Sequence, residues 1–203
     1  MGEIRDATRT RSKIVAAAKK EFAARGLAGA RIESIARRAK LTKQLLYHYF
    51  PGKEALFDEI LEHAIQERKA TAAADDDPRT MFSRRFAATT ADPVWIRFLT
   101  WEAAEFASKR QITRREIRKE TIQHQTNAIL AKQFRGRLPQ TIKAELLQLA
   151  IFALATYPLA FAQITEMVTG MTPDDPAFQR QWSEFLDHIG ALVASTAKVK
   201  RAP

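Results

Sequence analysis

Apolar residues recur along this chain at three- and four-residue steps, and no every-other-residue alternation persists anywhere. A period near 3.6 marks one face of an α-helix, so the pattern predicts an all-α protein. In the first segment Ile14, Ala18 and Phe22 step by four, Lys19, Lys20 and Arg25 fall elsewhere, and Gly26 stands where a helix C-cap belongs. A short second helix from Ile32 to Ala39 gathers Ile32, Ile35, Ala36 and Ala39 on one face, with Arg37 and Arg38 off it. Thr42 can cap a third helix, which carries the unusual run Tyr47-His48-Tyr49-Phe50 and is broken by Pro51-Gly52. From about Lys53 a fourth helix has an apolar stripe of Leu56, Phe57, Ile60, Leu61 and Ala64. The third helix is about two turns long and is not stable alone in water, so its neighbours must hold it.

Residues 71–80 read as a loop. Asp92-Pro93 marks a new start, since Asp can cap and Pro suits the first helical position. Helices are predicted from Val94 to about Lys109, from Thr113 to Phe134 (ended by Gly136 and Pro139), from Pro139 to about Thr169 as one long apolar helix, and from Pro176 to about Ala197. The reading is three short helices followed by about six longer ones. The apolar run Leu146–Ile164 has about the length of a membrane span, but Gln148, Thr156 and Gln163 interrupt it and Pro158 would kink it, which predicts a buried helix instead.

Charge changes the picture. Residues 1–53 hold thirteen Lys/Arg against four Asp/Glu, whereas residues 54–203 hold twenty against nineteen, so nearly all of the net charge of +10 lies in the first quarter. A basic module on a near-neutral body is the footprint of polyanion binding. With no cysteine, disulfides and thiolate metal sites are excluded, and a reducing compartment fits. The N-terminal stretch has no apolar core of a secretory signal, and Asp6 stands where a myristoylation pattern wants Ser or Thr. A cytoplasmic location is the expectation.

Helices at 32–39 and 43–49 joined by a very short turn have the layout of a helix-turn-helix, whose second helix enters the DNA major groove. Lys43 and Gln44 open that helix, where Lys can donate to guanine and Gln can pair with adenine; phosphate contact is the other reading. Lys53, at the start of the next helix, suits a phosphate, which both its ammonium and the helix dipole attract. Thr42 can cap and also bond a phosphate. Leu41, Leu46 and Phe50 look inward, Leu45 is core with reach to a thymine methyl, and His48 and Tyr49 are open between packing and phosphate.

Phe22 with Gly26, Ile35-Ala36, Ala39, Leu41, Thr42, Leu46-Tyr47, Tyr49-Phe50, Lys53-Glu54 and Leu56 together make residues 9–61 resemble the N-terminal domain of TetR-family transcriptional regulators. The resemblance implies a three-helix DNA-binding domain over residues 1–53 and a larger helical effector-binding and dimerisation domain over residues 54–203. It implies that Tyr47 touches the DNA backbone, that Thr42, Lys43, Gln44, Tyr47, His48 and Lys53 form the DNA contact set, and that helices near 139–169 and 176–197 pair into a homodimer on a palindromic operator. Three departures stand out: Ala30-Arg31 lacks the usual hydroxyl cap, Lys40 occupies the usual turn glycine, and Tyr49 replaces the common His.

For the larger domain the resemblance implies a small-molecule site. Trp95, Leu99, Glu102 and Phe106 share one helical stripe, and Trp101, Asn127, Phe152, Tyr157 and Phe161 are further candidates; Glu102 is read either as a ligand group or as half of an internal ion pair. The run from Lys109 to Lys119 reads as a solvated face, with Glu116 interleaved. The histidines at 48, 63, 124 and 188 are scattered, with no metal-ligand spacing, nucleophile motif or phosphate-cradling glycine loop. The expectation is therefore a ligand-released repressor, not an enzyme, with no metal and no cofactor; the alternative is a DNA-binding regulator controlled by a protein partner or acting architecturally.

Overall fold

The computed structural model describes residues 2–70, 77–109, 112 and 114–197; side chains at 2–5, 66–70, 93 and 105–109 are outside the description. The described residues are helical, with no strand. The order is α1 (Gly2–Gly29), α2 (Ile32–Ala39), α3 (Lys43–Tyr49), α4 (Lys53–Ala70), a 3-10 turn (Pro78–Thr80), α5 (Met81–Thr90), α6 (Pro93–Lys109), α7 (Arg115–Phe134), α8 (Ala144–Ala160), α9 (Ala162–Thr169) and α10 (Pro176–Ser195). Two compact units form: Met1–Gln66 with Arg97–Ile117, and Glu67–Ile96 with Arg118–Pro203.

In the first unit Ile14, Ala18 and Phe22 of α1 are buried with Ile35 and Ala36 of α2, Leu46 of α3, Phe50, and Leu56 and Phe57 of α4. Phe57 meets Phe22 edge-on at 5.1 Å and Phe98 at 5.2 Å. The C-terminal break of α1 lies at Gly26, whose φ of 65° and ψ of 179° are non-helical. A Cβ there would stand 3.0 Å from the Trp101 ring, so glycine is needed for conformation and for space. As the sequence indicates, α2 has no side-chain cap at Arg31. At its other end Lys40 adopts φ 58°, ψ 44°, and the bonds Lys40 N→Arg37 O (3.2 Å) and Leu41 N→Ala36 O (2.9 Å) complete a Schellman closure. Lysine in that conformation costs on the order of 1 kcal/mol relative to glycine. Gly136 (φ 68°) closes α7 the same way, with Gly136 N→Gln133 O and Arg137 N→Lys132 O.

The second unit packs Phe82 and Phe86 of α5, Ile129 of α7, Leu147, Ile151 and Ala155 of α8, and Phe178 and Leu186 of α10 around one core. Here the structure corrects the long helix expected over 139–169. It begins only at Ala144, and α8 and α9 meet at Phe161 with a bend of 83°. Pro158 has no N–H to give the Leu154 carbonyl, and that carbonyl instead accepts from Trp182 Nε1 of α10 at 3.2 Å. The Pro158 carbonyl, at the end of α8, accepts from Thr165 Oγ1 of α9 at 3.1 Å. The break is thus held by one side chain of α9 itself and one of α10. No single helix among the described residues is long and apolar enough to cross a membrane.

Candidate nucleic-acid interface

Three local devices place α3. Thr42, extended at φ −75° and ψ 151°, accepts the Leu45 N–H on Oγ1 at 3.2 Å and so starts the helix. Leu46 (0% exposed) and Phe50 (2%) anchor its inner side. Phe50 then turns extended, and α4 starts two residues after Pro51. At 100° per residue, Lys43, Gln44, Tyr47 and His48 fall within an arc of about 140°, opposite Leu46. All four are exposed, as is Thr42. Tyr47 is 44% exposed and Leu45 38%, so both present apolar surface outward. Tyr49 is half-buried and packs edge-on to His48 at 5.6 Å.

The free protein already occupies some of these cations. Lys43 Nζ pairs with Glu33 Oε1 of α2 at 2.5 Å and lies 5.8 Å from the centre of the Tyr47 ring. The Lys43 hydrogen bond holds the Glu33 carboxyl below the usual carboxylate range, and the same bond raises the Lys43 ammonium. Lys53 Nζ donates to the Ala28 carbonyl at 3.0 Å and to the Ala30 carbonyl at 3.5 Å, which ties the start of α4 to the α1–α2 corner. An ammonium has three donors, so these two carbonyls do not use all of them.

Two supporting residues escaped the sequence reading. Arg11 lays its guanidinium 4.7 Å from the centre of the Phe50 ring and forks onto Glu59 of α4, with Nε to Oε1 at 2.8 Å. Glu21, 2% exposed on α1, faces Arg25 at 3.4 Å and Arg38 of α2 at 3.7 Å, so a buried carboxylate bridges the two helices behind α3. Their basic and acidic partners are separated by up to 48 positions in sequence, where no local pattern signals them.

The residues expected to line an effector site are dispersed. Leu99, Trp101 and Glu102 belong to the first unit, and Trp95, Asn127, Phe152, Tyr157 and Phe161 to the second. Trp101 is 47% exposed and its ring covers Gly26. Leu99 and Glu102 are half-buried, and the Phe106 side chain lies outside the described residues. Trp95 lies under the Arg118 guanidinium at 5.8 Å and Phe152 under that of Arg85 at 5.2 Å. Asn127 is exposed and accepts from Gln123 at 3.1 Å. Tyr157 and Phe161 are about half exposed and pack on each other at 5.0 Å. A buried polar pair between α8 and α7, Gln148 Nε2→Gln125 Oε1 at 3.3 Å, was not anticipated. Among the described residues, no group of three or more His, Asp or Glu could hold a metal.

The family model for bacterial regulatory proteins, tetR family, matches residues 14–60. A second, described as the tetracyclin repressor-like C-terminal domain, matches residues 77–184. The HTH-type transcriptional repressor SCO4008 of Streptomyces coelicolor is 31% identical over 167 residues, which is 82% of this chain and 86% of that protein. The HTH-type transcriptional repressor NicS of Pseudomonas putida is 47% identical over 57 residues, 28% of this chain and 27% of that protein. Among solved structures, SCO4942 from Streptomyces coelicolor superimposes with a TM-score of 0.71 at 27% identity, covering 89% of this chain and 97% of that one.

Proposed function

Since the chain belongs to the TetR family, whose members are DNA-binding transcriptional regulators and not enzymes, we propose that it is a repressor that binds a palindromic operator as a homodimer and is released by a small molecule. The observation that carries the reading is the outward arc of α3, with Lys43, Gln44, Tyr47 and His48 exposed on a helix pinned from behind by Leu46 and Phe50. Lys43 and Gln44 meet base edges; Thr42, Tyr47 and Lys53 hold phosphates; His48 lies at the edge of the contact. Glu33 keeps Lys43 extended until a base or phosphate replaces it. The repressor sign is supported by the printed names of the two relatives.

Dimerisation is supported by the second unit. Leu146, Leu149 and Tyr157 of α8 and Phe185 and Leu192 of α10 are 43–64% exposed. Each large apolar side chain is worth about 1.5–3 kcal/mol on full burial, and two-fold symmetry counts every one twice. A dimer repeats α3 about one DNA turn away or more, hence the dyad in the operator. For the effector, Trp95 and Phe152 offer aromatic faces beside guanidinium groups, and Asn127 a hydrogen-bonding amide, all within the second unit; Leu99, Trp101, Glu102 and Phe106 remain separate candidates within the first unit. A cytoplasmic location goes with this reading.

Selection of bound sites from random duplex DNA tests it. The expected result is an inverted repeat, and Gln44→Ala should relax preference at one base position per half-site by about 1–3 kcal/mol. An enriched site without dyad symmetry, or an equal loss for Gln44→Ala on every sequence, counts against the reading. Compounds are then screened for release of the selected site; a protein that no compound releases fits the effector-free alternative.

A further inference from the structure

Besides the outward arc of α3, the first unit has a second cationic feature. Lys13, Ala16, Ala17 and Lys20 fall at i, i+3, i+4 and i+7 on one face of α1. That face meets the C-terminal end of α2 across an open cavity of about 310 Å3, a volume at the small end of ligand sites. The cavity exists because its floor is alanine at 16, 17 and 39; its rim is Lys13, Lys20, Arg38 and Lys40, and no carboxylate lines it. Arg38 reaches Glu21 at 3.7 Å. The side chains of the three lysines have no ion-pair or hydrogen-bond partner among the described residues. Lys40 is placed there at positive φ, where glycine would sit without strain. Four cations over an apolar floor repel one another, and Glu21 offsets Arg38 alone, which leaves the three lysine charges uncompensated by any ion pair among the described residues.

We propose that this cavity binds a phosphate-bearing anion of more than one charge. Arg38 presents a planar fork to two oxygens, and the lysines act as movable point charges around it. The same chemistry has two sources, a free phosphorylated small molecule and the backbone of DNA flanking the operator; only the second rests on the operator reading given above.

The test uses the full-length chain and pyrophosphate, added at constant ionic strength against chloride. The unfolding midpoint of the parent protein should rise saturably, because the anion binds the folded state alone. Lys20→Gln and Lys40→Gly should weaken that response at least tenfold. Lys40→Gly relieves backbone strain, so it remains folded. Ala16→Leu keeps every charge and fills the cavity from an exposed floor position, and it too should lose the response; a general charge effect would leave it intact. In a second arm, the salt dependence of operator binding is compared on a minimal duplex and on one extended by a turn at each end. A slope that steepens on the longer duplex for the parent, but not for Lys20→Gln, identifies the occupant as backbone phosphate. A saturable pyrophosphate response with unchanged slopes identifies a free anion. Equal pyrophosphate responses in the parent and Ala16→Leu, with slopes independent of Lys20, overturn the proposal, and do so whether or not an inverted-repeat operator exists.

Discussion

At the scale of single residues, the Glu33–Lys43 pair shows what a linear reading does and does not contain. Lys43 could be placed on the outward side of α3 from its position after Thr42 and from the apolar spacing of Leu46 and Phe50. Its partner ten positions earlier could not, because Glu33 also reads as an ordinary first-turn carboxylate that favours the helix dipole. On the proposed reading of α3, an acid beside its outward arc opposes a polyanion and also holds Lys43, the cation proposed to meet it. Glu33→Gln should therefore raise affinity for operator and non-specific DNA several-fold and steepen the salt dependence by about one counterion, at a small cost to α2. Titrations across a salt series check this, and an unchanged slope would mean that Lys43 does not reach the DNA. Lys53 is similar: the charge at the start of α4 was legible, but its bonds to the Ala28 and Ala30 carbonyls depend on where α1 ends in space.

At the scale of elements, helix starts and stops written in local chemistry were readable. Thr42, Asp92 with Pro93, Gly26, Gly136 and Gly170 each act within a few residues of themselves, and each marks a boundary in the structure. The break between α8 and α9 was not readable, because Pro158 alone permits either a kink or an end. Leu154 O is orphaned by proline and taken by Trp182, a residue 28 positions away. Trp182→Phe keeps the ring packing but removes the donor, and should cost about 1–3 kcal/mol in urea unfolding. In a Pro158→Ala background, where an N–H returns to Leu154, the same change should cost clearly less; strict additivity would show that the indole bond does not hold the break. Gly190 of α10 makes a second long-range demand. A Cβ there would lie 1.9 Å from the Arg79 carbonyl oxygen, a backbone atom with little room to move. Gly190→Ala should destabilise the protein by about 2 kcal/mol or more, read as a lower thermal midpoint.

For the whole molecule, the basic first quarter and the near-neutral remainder foretold a division of labour between a polyanion-binding part and a body. The units in the structure do not part at residue 53. Residues up to Gln66 stay with α1–α3, and Arg97–Ile117 joins them. Trp101 and Phe98 of α6 serve that core, against Gly26 and Phe57. The second unit carries the exposed apolar faces of α8 and α10. Leu149→Asp combined with Leu192→Asp should convert the proposed dimer to monomer in sedimentation and weaken operator binding at least tenfold while leaving each unit folded. A dimer that persists would move the interface elsewhere.

By itself the sequence determined the helical class, the boundaries set by caps and glycines, the basic N-terminal module, and the division of the third helix into Leu46 and Phe50 inward and Lys43, Gln44 and Tyr47 outward. All of these rest on periodicity, backbone preference and charge, which act over one or two helical turns. Only the tertiary structure decided that Glu33 holds Lys43, that Lys53 ties the α1–α2 corner, that Trp182 and Thr165 hold the α8–α9 break, and that four cations from two helices surround an alanine-floored cavity. Those depend on which helix faces meet, and that is settled by the packing of distant side chains, which no window along the chain contains.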